Sequence, residues 1–179
     1  QQKVKNQVFA VRYRLEPKPQ DLEKYKRGEL VEPIKPIVYY VDPATPKKWV
    51  PYLIAGVNDW NVAFEKAGWK NAIVGKEWPN DSTMSLEDAR FSVIRYFASD
   101  IENAYGPQVH DPRSGEILES HVGWYHNVMS LVHDWYMVQT AAVDPAARKM
   151  HFDDELMGNL IRFVSSHEIG HTIGLRHNM

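Results

Sequence analysis

The sequence contains no cysteine among its 179 residues. A disulfide framework and thiolate ligands for a metal are therefore excluded, although this absence does not indicate a cellular compartment. The sequence also lacks an uninterrupted apolar run of about 18 residues, the length of a membrane-spanning helix. It lacks an excess of one charge, because 21 Lys and Arg oppose 23 Asp and Glu. The net charge of −2 gives no electrostatic footprint for nucleic acid or an anionic membrane.

The apolar content is sufficient for one good hydrophobic core. Hydrophobic residues make up 44% of the chain, and six of them are tryptophans. A chain of this length fits a single domain. We therefore treat residues 1–179 as one domain.

The C-terminal end of the chain holds three histidines and a glutamate at informative spacings. His167 and His171 are four residues apart, so on an α-helix their rings lie one turn apart on one face and can reach the same ion. Glu168 is placed to flank that ion as a general base rather than to bind it. Gly174 suits a sharp turn after the helix, which brings His177 back as a third ligand.

This pattern is typical of a catalytic zinc site. Three neutral imidazoles leave the fourth tetrahedral position open for water, and zinc lowers the pKa of that water from 15.7 to about 7. The full pattern H-E-x-x-H-x-x-G-x-x-H arises by chance on the order of once in ten thousand chains of this composition. The ordinary alternative is an amphipathic helix whose histidines have no shared role.

The residues before the motif predict the helix that carries it. Apolar residues recur at three- and four-residue intervals and continue into the histidines, which predicts a helix from about 153 to 174 with Asp153 as its N-cap. We interpret this stripe as the buried face of the helix; its members are Leu156, Leu160, Phe163, Val164, His167 and His171.

The rest of the chain predicts a sheet and two further helices. Helical spacing of apolar residues predicts helices over about 46–68 and 127–143, the first beginning at a Thr-Pro pair and ending at a glycine. The stretch 16–36 is charged and holds four prolines, so we expect an extended connector there. Alternating or continuous apolar runs predict strands over 8–15, 37–41, 72–78, 89–98 and 116–125.

The terminal motif resembles that of the metzincin clan of zinc metalloendopeptidases. The chain is most similar to the bacterial zinc-dependent metalloprotease family called met-zincins, on that motif and on segments 14–19, 42–46, 92–96, 111–120 and 124–129. The resemblance implies an α+β, zincin-like fold with a twisted mixed β-sheet, a backing helix and an active-site helix. It also implies a bound Zn²⁺, a protein or peptide substrate, and export to the periplasm, cell surface or medium.

By the same resemblance, His167, His171 and His177 are expected to be the zinc ligands and Glu168 the catalytic base. The resemblance further places a cleft-lining edge strand within residues 115–122. An edge strand offers free N–H and C=O groups to an extended peptide. Our candidate substrate-binding residues are accordingly Leu118, Glu119 and Ser120, and the alternative is an ordinary edge strand with nothing bound.

Metzincins also carry a methionine-containing turn downstream of the third histidine. The sequence ends two residues after His177, and Met179 is too close to that ligand to be assigned as the methionine. We therefore expect these residues to be a fragment of a longer protein with further domains. In isolation the fragment is expected to hold zinc weakly and to have reduced activity.

Two other functions remain open from the sequence. A zinc-binding scaffold that has lost catalysis is one, although it has no need of the base that Glu168 provides. A zinc hydrolase acting on a non-peptide amide or ester is the other, because the metal chemistry is shared. The remaining histidines, His110, His121, His126, His133 and His151, match no standard ligand spacing.

Overall fold

The computed structural model describes residues 3–5 and 7–177, so Met179 lies outside the described residues. Helices and strands follow one another in a mixed order that begins and ends with a helix. They are α1 (Leu22–Lys26), β1 (Ile37–Val41), α2 (Val50–Asn58), α3 (Asn61–Lys66), β2 (Ile73–Glu77), β3 (Ser92–Phe97), β4 (Ala104–Tyr105), β5 (Val109–His110), β6 (Ile117–Glu119), β7 (His121–Tyr125), α4 (Val128–Thr140) and α5 (Asp154–Thr172).

Five strands form one mixed sheet in the order β2-β1-β3-β7-β4. The first four are parallel to one another, and β4 runs antiparallel to β7 at the edge. Strands β5 and β6 form a separate antiparallel pair. The predicted α+β fold with a mixed sheet is thereby confirmed, and β1 has the bounds that its apolar run predicts.

Helices α2 and α5 pack against each other and against the sheet. Gly56 allows the close approach, because a Cβ atom there would lie 2.6 Å from the Arg162 carbonyl oxygen and from Ser165 Cβ. The Ser165 hydroxyl donates to the Leu53 carbonyl at 3.0 Å across the same contact. Helix α2 is thus the backing helix that the fold implies. The core between these layers includes Tyr39, Leu53, Val57, Ile94, Ile161 and Ile169.

The helix predicted over 46–68 is two helices in the structure. Helix α2 begins at Val50 because Pro51 fits only in a first turn, where its missing N–H is not needed. Asn58 and Asn61 flank the break between α2 and α3, and their side chains bond to β2: Asn58 Oδ1 accepts from the Gly75 N–H at 2.9 Å, and Asn61 Nδ2 donates to the Ile73 carbonyl at 2.7 Å. At the break, hydrogen bonds to the sheet therefore replace hydrogen bonds within a helix.

The N-terminal part of the chain differs from its prediction. Residues 8–15 form no strand; they make one isolated bridge, between Arg12 and Glu116. The alternation of apolar residues corresponds only to partial burial of the side chains at 11, 13 and 15. The segment 16–36 is not extended throughout, since it contains α1 and a 3-10 turn over Pro19–Asp21. Pro17 and Pro33 form an isolated bridge, and Pro19 begins the 3-10 turn.

Helix α5 begins as predicted, with the Asp153 side chain accepting from the Leu156 N–H at 2.9 Å. The interpretation of its buried face is wrong. The buried residues are Gly158, Ile161, Ser165, Glu168, Ile169, Gly170 and Thr172, whereas Phe163 in the predicted stripe is 67% exposed. Spacing shows which residues share a face of the helix, but apolar residues line clefts as well as cores. Leu160, Phe163 and Val164 of the predicted stripe line a cleft. In the described part of the chain, no helix combines the length and apolar character needed to cross a bilayer.

Candidate metal centre

Three histidine nitrogens converge at the C-terminal end of α5. The Nε2 atoms of His167 and His171 are 3.1 Å apart, and His177 Nε2 lies 3.1 Å from His171 and 3.0 Å from His167. His167 and His171 sit one turn apart on the helix, and His177 follows the turn after it. The spacing in the sequence therefore produces the predicted cluster.

The cluster suits a metal ion better than mutual hydrogen bonding. A neutral imidazole nitrogen carries either one proton or one lone pair, so three nitrogens that face one another cannot all be paired among themselves. Tetrahedral zinc, with bonds of 2.0–2.1 Å to nitrogen, separates its ligand atoms by about 3.3 Å. The observed separations are close to this value. The donor set and its geometry thus fit zinc held by three imidazoles.

The turn after α5 places the third histidine and also orients the second. Gly174 has φ +102°, a conformation that glycine adopts without strain, and the Leu175 N–H donates to the Gly170 carbonyl at 3.1 Å. His171 Nδ1 lies 3.0 Å from the Leu175 carbonyl oxygen. Because a carbonyl only accepts, Nδ1 carries the proton and Nε2 presents its lone pair to the cluster.

Glu168 lies on the buried side of the helix, with 7% of its surface exposed. Burial raises the pKa of its carboxyl above the usual range, while His171 opposes the shift. Burial also lowers the pKa of His167, and the neighbouring His171 and His177 add to this, which favours the neutral imidazole that binds metals. The site therefore combines neutral nitrogen donors with a carboxylate whose proton affinity is increased.

Comparison with known proteins agrees with this geometry. Residues 149–179 match the Met-zincin family. The matched segment contains all of α5, the turn at Gly174 and the three histidines. The match supports a metzincin-like family and a zinc-dependent, metalloprotease-like function. Neither the curated proteins nor the solved structures gave a significant match to the chain.

Helix α5 and His177 form one wall of a large cavity, and α4 and the segment of β4 form the others. The cavity has a volume of about 740 Å³, and His167, Glu168, His171 and His177 lie on its wall. Most of the remaining wall is apolar and comes from the facing sides of α4 and α5: Val128, Leu131, Val132, Trp135, Leu160, Phe163 and Val164. The metal centre therefore opens into an apolar cleft.

Strand β4 can pack closely beside α5 and β7 because glycines occupy the points of contact. Gly106 lies directly against the Glu168 carbonyl oxygen, where a Cβ atom would collide, and the Tyr105 ring covers Gly123 in the same way. The hydroxyl of Ser120 donates to the Pro107 carbonyl just after the strand. These contacts fix a two-residue strand that lines the cavity.

The structure thus brings together four of the seven residues that the sequence nominates. Leu118, Glu119 and Ser120 do not line the cleft among the described residues: Leu118 is 58% exposed, Ser120 is buried, and Glu119 Oε2 lies 3.3 Å from His121 Nε2. Ser120 instead holds the segment after β4. Sequence reasoning missed residues 103–106, because two strand residues give no periodic signal.

Proposed function

We propose that this protein is an endopeptidase that uses one zinc ion, held by His167, His171 and His177, with Glu168 as the general base. One observation carries the proposal: three Nε2 atoms converge to within 3.0–3.1 Å of one another on the wall that Glu168 shares. Zinc in such a site polarises a carbonyl group and lowers the pKa of a water molecule.

Glu168 supplies the proton transfers of hydrolysis. It is one residue from His167 on the helix, and its burial raises its pKa above the usual range for a carboxyl. A carboxylate with increased proton affinity accepts the proton of the attacking water more readily and, once protonated, passes it to the leaving amine. His171 is oriented by its bond to the Leu175 carbonyl.

Strand β4 and the apolar cleft provide the peptide site. One edge of β4 pairs with β7, and the other has no strand partner among the described residues. An extended peptide that pairs with this edge lies across the cavity beside the histidines. The facing apolar surfaces of α4 and α5 then accommodate a side chain, which favours substrates with a bulky apolar residue near the bond that is cut.

The test compares the full-length wild type with Glu168→Gln, using zinc content per chain and cleavage of a proteome-derived peptide library. We expect both to bind zinc and the variant to lose about 10²–10⁴-fold in kcat/KM, the usual contribution of a general base. Glu155→Gln, an exposed acid at the start of the same helix, is the matched control and retains activity.

Two results would contradict the proposal in different ways. Stoichiometric zinc without cleavage of any peptide would favour the scaffold, or a hydrolase of non-peptide amides or esters. The latter is distinguished by assaying amide and ester substrates. Unchanged cleavage by Glu168→Gln would show that another group is the base.

A further inference from the structure

A chain of three hydroxyl groups links the N-terminal segment to the end of the active-site helix. Tyr13 Oη and Tyr39 Oη are 3.2 Å apart, and the Tyr39 hydroxyl donates to Thr172 Oγ1 at 2.6 Å. Thr172 Oγ1 in turn donates to the Ile169 carbonyl at 2.7 Å. Tyr39 and Thr172 are fully buried. None of the residues of this hydroxyl chain (Tyr13, Tyr39 and Thr172) lines the cleft, and none is a zinc-binding histidine.

The direction of these bonds follows from the number of protons available. Each hydroxyl has one proton, so Thr172 gives its proton to the carbonyl, Tyr39 gives its proton to Thr172, and Tyr13 donates to Tyr39. Burial raises the pKa of both tyrosines, so the hydroxyls remain protonated at neutral pH. Each hydrogen bond of the hydroxyl chain therefore has one defined donor and one defined acceptor.

The hydroxyl chain ends where α5 turns towards the third histidine. Thr172 is the last residue of α5, and the Ile169 carbonyl that it bonds also accepts the Ile173 N–H at 3.1 Å. Gly174 follows with its positive φ, and the next residues lead to His177. The bond from Tyr39, which lies on the interior strand β1, thus fixes the last turn of the helix relative to the core.

The N-terminal segment also contacts the turn from outside. The Val11 carbonyl lies against Gly174, so closely that a Cβ atom on Gly174 would collide with it. The neighbouring Arg12 holds this segment in place, because its N–H donates to the Gly115 carbonyl and its carbonyl accepts from the Ile117 N–H, each at 2.9 Å. The turn is therefore bounded by Val11 on one side and by the hydroxyl chain on the other.

We infer that Tyr39 and Thr172 are positioning residues for the third zinc ligand: their hydrogen bond holds the end of α5 so that His177 meets the other two histidines. The inference rests on the proposed function, since it concerns the affinity of the same zinc site. It goes beyond that proposal because it assigns zinc affinity to residues that touch neither zinc nor substrate.

The experiment measures zinc affinity of the full-length protein by competition with a chromogenic chelator. Thr172→Val keeps the shape of the side chain and removes the hydroxyl, and we expect it to bind zinc about 10–100-fold more weakly, as loss of an orienting partner does. Thr172→Ser keeps the hydroxyl and is expected to restore affinity. Tyr39→Phe repeats the loss, and Tyr40→Phe, on the neighbouring strand position, is the control with unchanged affinity.

A double-mutant cycle separates positioning from a general effect on folding. In a His177→Ala background the third ligand is gone, so Thr172→Val is expected to cause no further loss of zinc affinity. The same loss in both backgrounds would overturn the inference, as would a Thr172→Val protein that binds zinc as tightly as the wild type. A wild type that binds no zinc at the three histidines would instead refute the proposed function.

Discussion

His171 shows how a single residue acquires a defined role from two contacts. Its Nε2 atom faces the other two histidines, while its Nδ1 atom bonds to the Leu175 carbonyl. The second contact fixes the tautomer, and so it determines which nitrogen can bind a metal. The sequence predicts the first contact from the spacing of histidines, but not the second, because any residue at position 175 supplies a carbonyl.

Gly106 is expected to be essential for the position of β4. A Cβ atom at this residue would collide with the Glu168 carbonyl, which belongs to the backbone of α5 and cannot move aside. We expect Gly106→Ala to displace β4, to lower the free energy of unfolding by about 1–3 kcal/mol, the usual cost of overpacking, and to reduce kcat/KM. Urea denaturation and peptide cleavage measure the two effects.

Zinc binding is expected to survive in Gly106→Ala, because the added Cβ atom would meet the Glu168 carbonyl and the Thr172 methyl group but no histidine and no hydroxyl of the hydroxyl chain. A variant with wild-type stability and cleavage would show that β4 has more freedom than its contacts indicate. Loss of zinc with the same substitution would show instead that the helix itself has moved.

Among the elements, those with many periodic residues could be predicted and the shortest could not. Helix α5 and strand β1 were predicted with bounds within a few residues of the structure. The two-residue strand β4 was not, although it forms a wall of the cleft, because its position depends on contacts with distant elements: Gly106 against α5, and Tyr105 against Gly123 of β7. Tertiary contacts of this kind leave no local pattern in the sequence.

The assignment of faces to α5 failed for a related reason. The apolar stripe of α5 and the inner side of α4 face each other across the cleft without filling it. Burial within the core and exposure to a binding cleft both require apolar side chains, so the hydrophobic pattern alone does not separate them. A second stripe of small and polar residues, including Gly158 and Ser165, makes the close contact with the core.

The cleft between α4 and α5 is expected to select bulky apolar side chains of the substrate. Trp135 on α4 is half exposed and lines the cleft. We expect Trp135→Ala to lower kcat/KM for peptides with a large apolar residue beside the scissile bond by roughly 10-fold or more, since burying such a side chain contributes about 1.5–3 kcal/mol. Cleavage of small-residue peptides is expected to change little.

Val138 offers the matched control for this prediction. It lies on α4 and is 84% exposed, but it is not part of the cleft wall. Val138→Ala is expected to leave the ratio between the two peptide classes unchanged. An equal decrease for both classes in Trp135→Ala would mean that the tryptophan stabilises the fold and does not set specificity.

For the molecule as a whole, zinc is expected to add to the stability of the fold. The three histidines come from α5 and from the turn beyond it, so their common geometry exists only in the folded chain. At a free zinc concentration of 100 times Kd, binding adds about 2.7 kcal/mol to the free energy of unfolding. For a domain of this size that corresponds to a rise in Tm of roughly 5–10 °C.

Thermal unfolding with and without a chelator tests this expectation. His177→Ala is expected to abolish most of the zinc-dependent rise, and His151→Ala, an exposed histidine outside the cluster, is expected to retain it. A rise of equal size in His177→Ala would place the stabilising zinc elsewhere on the protein.

Substitutions on the two faces of α5 are expected to have different effects on the protein. Substitutions at Ile161, Ser165 and Ile169 meet the core and so alter the amount of folded protein. Substitutions at Leu160 and Phe163 meet the open cleft, where a new side chain displaces solvent rather than neighbouring atoms. The preference for one substrate over another can therefore diverge among related proteins with little effect on their folding.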